Sequence, residues 1–471
     1  MKKVFISFIF LILSLFLQPT VIYAQKTNQF GIHILETGEV KQAAALVNSN
    51  GGDWGFVTIV LRDNDLDSDK WQKFFDQCRQ WHLVPLIRLA THVENEAWAK
   101  PNHATIEQMS QFLNQLNWPV KNRYIIVFNE PNHIQEWGGE IAPEEYADIL
   151  NESIEKFKAA NKDFKILNAG LDLAAPNGAE TQNAFNFLQK MHQNYPEIFN
   201  QLDGWASHSY PNPGFIGQVT DTGKASIQGY RWELLVLKKH FGLKKDLPVF
   251  ITETGWPHAE STNAKAQKQK FYKAEKTAEL IESAFNFWQN DPRIKGITPF
   301  VLHYHAPPLD TFSWFKQNGQ PYPQYETVQE MKKTAWQPEQ ITQWEIIKSN
   351  FPKFLPLDSQ YEGKIILKNI GQSIWGEKEI CLEGKNQYSL NFCLGKNKKI
   401  LPGESEIFLI NIQAPSSGQE INLEWENLTE KAAIYLFSPG QIKSYQQDFF
   451  QKVFSLIKVW WYDKRKQYEK Y

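Results

Sequence analysis

Tyr124-Ile125-Ile126-Val127-Phe128-Asn129-Glu130-Pro131-Asn132 is the stretch whose reading decides the fold. A run of β-branched and aromatic residues has the character of a buried strand, and this one leads into an Asn-Glu pair stopped by a proline. A carboxylate is thereby placed at the carboxyl end of a strand. The pattern returns in Pro248-Val249-Phe250-Ile251-Thr252-Glu253-Thr254-Gly255-Trp256-Pro257, where a second apolar run ends in a glutamate followed by turn residues.

Working outward from these two runs, strand-like segments alternate with amphipathic helical ones from Phe30 to about Ala335, which argues for a parallel sheet. The expected strands are Phe30 to Leu35, Gly55 to Arg62, Val84 to Leu89, Tyr124 to Asn129, Lys165 to Leu171, Leu202 to His208, Pro248 to Thr252 and Gly296 to Leu302. Eight such runs over this length suit an α/β protein built as a (β/α)8 TIM barrel. Helical stripes between them agree, such as Tyr146, Ile149, Leu150, Ile154 and Phe157, or Ile106, Met109, Leu113 and Leu116. A doubly wound open sheet is the alternative, but no Gly-rich phosphate loop follows the first strand.

The barrel is expected over residues 25–340, followed by a proline-punctuated linker at 341–357. Beyond it, short strand-like runs separated by Gly, Pro, Asn and Ser clusters predict a small antiparallel β-sandwich over 358–440. Lys368-Asn369-Ile370-Gly371-Gln372-Ser373-Ile374-Trp375 is similar to the opening of immunoglobulin-like modules appended to secreted bacterial enzymes. Residues 441–471 predict an amphipathic C-terminal helix, with Phe449, Phe450, Val453, Phe454, Ile457, Trp460 and Trp461 on one face and a basic end. Such a helix either docks on a domain or touches a membrane surface.

The 471 residues are 42% hydrophobic, more than one core usually absorbs, so two folded units are expected. Fifty basic residues nearly cancel 52 acidic ones, for a formal charge of -2, and no field exists to gather nucleic acid. A neutral partner fits better, and 17 tryptophans lean toward the flat faces of sugars. Lys2 and Lys3 ahead of the apolar run Val4 to Leu17, with small residues up to Ala24, predict a cleaved signal peptide over 1–24 and export as a monomer. The apolar run is short for a membrane span. Of the three cysteines, Cys78 lies on an apolar helical stripe with Trp71, Phe74 and Phe75 and is expected to be an inert core thiol. Cys381 and Cys393 flank a turn-rich segment, where export leaves a cross-strand disulfide open.

In a (β/α)8 barrel the active site lies at the carboxyl ends of the strands, so glutamates ending strands four and seven would face each other across the mouth. One carboxyl protonated to assist a leaving oxygen and one ionised to meet the anomeric carbon is the equipment for cleaving a glycosidic bond. An oligo- or polysaccharide substrate follows, with no cofactor and no metal. Strand six reads Trp205-Ala206-Ser207-His208-Ser209-Tyr210-Pro211, and alternation puts His208 and Tyr210 on the mouth side with Trp205 packed on helices. His303-x-His305 raises a metal-hydrolase alternative, but no set of histidines and carboxylates accompanies it. A barrel that binds sugar without turnover is the other alternative, against which stand both glutamates.

Asn129-Glu130-Pro131, His208-x-Tyr210 and Ile251-Thr252-Glu253-Thr254-Gly255-Trp256 resemble the strand-four, strand-six and strand-seven motifs of glycoside hydrolase clan GH-A. Asn129-Glu130-Pro131-Asn132, with Trp137-Gly138-Gly139 and Pro143-x-x-Tyr146 following, is most similar to family thirty-nine and its endo-acting relatives. The resemblance covers roughly residues 30–335. It implies a retaining mechanism with Glu130 as acid/base and Glu253 as nucleophile, and assigns Asn129 to the sugar 2-hydroxyl. His33, Arg62 and Arg88 stand near the ends of strands one to three, where the clan places sugar-binding and charge-tuning residues. The clan carries a tryptophan platform on strand eight, whereas this chain has Pro299-Phe300-Val301-Leu302-His303-Tyr304-His305, so Trp314 on the next loop is expected to stand in. With Trp137 and Trp256 of the motifs, these residues make up the expected sugar-binding set.

Overall fold

All eight runs form strands: β1 (Gly31–His33), β2 (Gly55–Arg62), β3 (Leu83–Ala90), β4 (Arg123–Ile126), β5 (Phe164–Leu167), β6 (Trp205–His208), β7 (Val249–Glu253) and β8 (Ile294–Ile297). The computed structural model describes residues 27–260, 270–376, 381–382, 392–393, 398–423 and 432–437. The expected signal peptide and C-terminal helix lie outside these. The chain divides after Glu339 into two units.

In the first unit these eight strands pair in parallel and in chain order, and a short antiparallel pair, Val93–Glu94 with Ala97–Trp98, stands in the loop after β3. The pairings make one sheet of β1 to β5 and another of β6 to β8. Isolated parallel bridges join the two at both seams, Leu167 to Gly204 and Asp172 to His208 at one and Phe30 to Ile297 at the other. The expected continuous ring is therefore interrupted. Its seams fall at short strands, three residues in β1 and four in β5, β6 and β8, which leave length for isolated bridges instead of a ladder.

Helices lie between the strands, as their patterns predict. Ser68–Gln80 starts under Asp67, whose carboxylate accepts the Asp69 and Lys70 amides, and it buries Trp71, Phe74, Phe75 and Cys78. Burial pushes the Cys78 thiol well up, so it stays protonated. His103–Gln115 begins with a reciprocal capping box between Asn102 and Thr105. Pro143–Ala160 opens on its proline and buries Tyr146, Ile149, Leu150, Ile154 and Phe157. A separate apolar cluster joins Phe56, Leu86, Ile126, Leu167, Ala206 and Phe250, one from each of β2 to β7. Gly296 of β8 completes it by having no side chain, since a Cβ there would stand 3.0 Å from the Phe56 ring. Trp336 stacks on Phe56 and donates its indole N–H to the Trp54 carbonyl at 2.7 Å. Among the described residues no helix is long and apolar enough to cross a membrane.

The second unit corrects the linker reading. Trp344–Ser349 and Phe354–Pro356, both inside 341–357, are edge strands. Proline is tolerated at a sheet edge, so Pro356 ends a strand there instead of marking a linker. Trp344–Ser349 pairs antiparallel with Gln360–Asn369, which pairs antiparallel with Ser405–Gln413. Ala432–Phe437 lies between Phe354–Pro356 and Glu420–Leu423. Ile365, Leu367, Ile410 and Ile412 from one sheet share a core with Leu355, Ile421, Leu423 and Ile434 from the other. Asn369 explains the short motif noted above. Its side-chain amide donates to the Ser373 and Ile400 carbonyls at 2.9 and 3.1 Å and its Oδ1 accepts the Gly371 amide, which seats the buried Trp375. Cys381 stands opposite Cys393 in the register of two short antiparallel strands.

Candidate active site

Glu130 does not end a strand. β4 stops at Ile126, and the chain bends through Phe128 at φ +71° before Glu130 itself adopts φ +27°. Side chains enter this left-handed region at a cost of roughly 1–2 kcal/mol each, so neighbouring bonds must hold the bend. Buried Asn132 holds it: its amide donates to the Asp172 and Gln182 carbonyls at 3.0 Å, and its Oδ1 accepts the Asp172 amide at 3.2 Å. The Glu130 amide donates to the Gly170 carbonyl at 3.0 Å. The loops after β4 and β5 are thereby locked together, and the Glu130 side chain is turned toward β6.

Glu253 is the last residue of β7, nearly buried, and three groups converge on it. The Arg88 guanidinium from β3 meets Oε1, the Tyr210 hydroxyl donates to Oε2 at 3.2 Å, and His208 Nδ1 stands 3.9 Å from Oε2. Burial by itself would raise this carboxyl. The charges of His208 and Arg88 overcome it and hold Glu253 well below the usual carboxylate range. The phenol of Tyr210 is driven well up by burial and by both glutamates, so it remains a donor. His208 Nδ1 is hydrogen-bonded to Glu130 Oε1 at 2.7 Å. Burial opposes charge on this imidazole, but Glu253 and Glu130 together raise it above its ordinary value. One ligand atom each from Glu130, His208 and Glu253 lies within 4.8 Å of the others, the one cluster among the described residues with metal-ligand spacing. Each of the three is already engaged by a neighbour. His303 is tied to Gln42 Oε1 at 2.6 Å and stacks on Phe315, away from any such set.

These groups floor a cleft of about 640 Å³ with two unlike walls. One is aromatic, with Phe215, Phe300, Tyr304 and Phe312 in edge or tilted contact around Tyr210. The other is polar: Arg62 lies over the Trp98 ring at 5.6 Å, Lys70 pairs with Asp65, and His133 pairs with Asp172 at 2.9 Å. A cleft combining apolar ring faces with convergent hydrogen-bonding groups suits a polyhydroxylated ligand.

The family description "Glycosyl hydrolase catalytic core" matches residues 70–322, more than half of the chain and a span that holds both glutamates. The chain belongs to that family. Solved structures similar to this glycosidase include a GH128 (subgroup II) endo-beta-1,3-glucanase from Pseudomonas viridiflava, 13% identical, covering 65% of this chain and 98% of that one at a TM-score of 0.41. A family 39 glycoside hydrolase from the gut symbiont Bacteroides cellulosilyticus WH2 is also 13% identical, covering 82% of this chain and 81% of that one at 0.44. A beta-mannanase from Thermomonospora fusca is 13% identical, covering 64% and 89% at 0.42. No curated protein matches the chain in sequence.

Of the expected site of this glycosidase, the structure brings Glu130, Glu253, Asn129, Tyr210 and Arg62 to the cleft, with His208 buried directly behind the two glutamates. Three tryptophans are corrected. Trp137 packs edge-on between Phe128 and Tyr146, Trp256 donates to the Gly217 carbonyl at 2.8 Å, and Trp314 is 1% exposed in the main core. Each indole fills volume between elements and leaves no face for a sugar. His33 is also displaced from its expected role: it lies beneath the cleft with neither ring nitrogen hydrogen-bonded. Burial first, then Arg88, pushes it down to about 3, so it is a neutral imidazole. Sequence reasoning missed Trp98, His133, Glu136 and Asp172. His133 and Glu136 closely follow the Asn-Glu-Pro-Asn motif and could have been taken from proximity, whereas Trp98 and Asp172 carry no local signal.

Proposed function

We propose that this glycosidase hydrolyses O-glycosidic bonds of a neutral oligo- or polysaccharide with retention, as in clan GH-A, with Glu253 as nucleophile and Glu130 as acid/base. The observation that carries the reading is the approach of the two carboxyls, oxygen to oxygen within 4.8 Å, in unlike surroundings. Retaining enzymes hold the pair at about 5–5.5 Å, whereas inverting ones leave about 6.5–9.5 Å for a water. Glu253, kept ionised by Arg88 and His208, attacks the anomeric carbon and forms a carbon–oxygen bond to its carboxylate as the bond to the leaving oxygen breaks. Glu130 gives its proton to that oxygen. In the second half Glu130 takes a proton from water, the water oxygen bonds to the anomeric carbon, and Glu253 departs as carboxylate. Arg88 Nη1 also donates to Asn129 Oδ1 at 2.7 Å, which orients Asn129 beside the nucleophile.

The eight strands in sequential order, bridged at both seams, support a (β/α)8 barrel as the scaffold, and the two sheets of the second unit support an immunoglobulin-like sandwich. Export of a monomer by the leader over 1–24 and surface contact through 441–471 complete the proposal. The test is the anomer first released, followed by NMR on a turned-over aryl glycoside, together with Glu253→Gln. Retention and an inactive variant are expected. An inverted product, or an active Glu253→Gln enzyme, refutes the assignment.

A further inference from the structure

Glu136 is an acid of the cleft for which double displacement has no task. It closes the short 3-10 segment Ile134–Glu136, and its side chain lines the same cleft as Glu130 and Glu253. The acids around it have cationic or imidazole partners: Glu253 has Arg88, Glu130 has His208 and Asp172 has His133. Glu136 has the Asn129 side chain instead. Arg88 Nη1 already occupies Asn129 Oδ1, so the amide nitrogen is the end left to meet the Glu136 carboxyl. Glu253, Arg88 and Asn129 thus run in one hydrogen-bonded line, and Glu136 lines the same cleft beside it.

We propose that Glu136 is a positioning residue that sets, through Asn129, the donor presented to the sugar hydroxyl next to the reacting carbon. The sugar contact rests on the retaining reading above, whereas the link from Glu136 to Asn129 does not. The charged and titratable groups facing Glu136 are Glu130 and Glu253, which repel its charge, Arg88, which favours it, and His133 three residues earlier. Burial, followed by Glu130, pushes its carboxyl up to about 7. Neutral Glu136 still accepts one Asn129 N–H through its carbonyl oxygen, leaves the other to substrate and offers an O–H of its own. Ionised Glu136 draws an Asn129 N–H to itself and adds a negative charge beside both catalytic carboxyls. Binding and turnover therefore weaken as Glu136 ionises.

The test follows the side-chain amide of Asn129 in protein labelled with 15N-asparagine, assigned by its loss in Asn129→Ser, across the neutral pH range. In the wild type it shifts with a midpoint near neutrality, and in Glu136→Gln that titration is absent. An amide that does not titrate, or titrates alike in Glu136→Gln, overturns the proposal without any substrate being needed. On an aryl glycoside that the wild type turns over, kcat/KM of Glu136→Gln lacks the Glu136 part of the alkaline limb. Glu136→Ala loses roughly 10- to 100-fold, as a displaced Asn129 requires. An alkaline limb identical in Glu136→Gln overturns the role. A titrating Asn129 in a protein that turns over nothing counts against the retaining reading and supports the Glu136 link.

Discussion

Gly170→Ala reaches the proposed catalytic pair without touching either glutamate. A Cβ built on Gly170 lies 2.1 Å from His208 Cδ2, 2.4 Å from Nε2 and 2.7 Å from Cγ. His208 is 2% exposed, so its ring has no solvent to retreat into. Restoring ordinary contact needs a ring displacement on the order of 1 Å, and a misplacement of that size costs about 100-fold in rate, or about 2.7 kcal/mol. The bond at stake is the 2.7 Å contact from His208 Nδ1 to Glu130 Oε1. Overpacking adds roughly 1–3 kcal/mol of destabilisation. The assay is kcat/KM over a series of aryl glycosides. With Glu130 as the proposed acid/base, the loss should grow as the leaving group becomes more basic and nearly vanish for the best leaving groups. Gly178→Ala is the control, since nothing lies within 4 Å of its Cβ. A Gly170→Ala enzyme with wild-type kcat/KM throughout the series and an unshifted His208 imidazole resonance would refute the reasoning.

Arg88→Met should raise the Glu253 carboxyl by roughly one to three pH units, because the partner charge is removed from a site where both side chains are almost dry. The folded value of Glu253 lies below its unfolded one, so the pair stabilises above the unfolded value and the benefit fades as pH falls. The variant should lose about 1.4–4 kcal/mol at neutral pH and progressively less in acid, read from urea melts, with the acid limb of kcat/KM moved upward. Equal melts at neutral pH would exclude it. Glu233 has the opposite sign: fully buried, with Oε1 unpartnered and Oε2 accepting from Ser207, its carboxyl is raised by burial from 4.5 to about 7. The penalty is absent below the unfolded value, grows through the window from 4.5 to about 7 and is complete above it. Glu233→Gln should therefore gain up to about 3 kcal/mol at alkaline pH and nothing in acid, and a gain independent of pH would rule this out.

What the sequence determined by itself is local. Continuous apolar runs mark all eight strands, which are buried on both faces, and a 3.6-residue repeat marks the helix faces of Trp71 to Cys78 and Tyr146 to Phe157, which are buried on one. The glutamates at 130 and 253 were legible for the same reason, each following an apolar run directly. Whether an aromatic ring faces a cleft or a core is not local, since Trp137, Trp256 and Trp314 have neighbourhoods as suggestive as that of Trp98. Only packing decided that three indoles fill the interior while Trp98 supports Arg62. Tertiary structure likewise decided that Glu130 stands four residues beyond its strand, because the bend at Phe128 is held by Asn132 across a gap of 40 residues to Asp172. Charge belongs to the same class. Glu253, Glu233 and Glu136 share one side chain and hold different protons, because the field at each carboxyl is set by groups from other strands and helices that no spacing along the chain records.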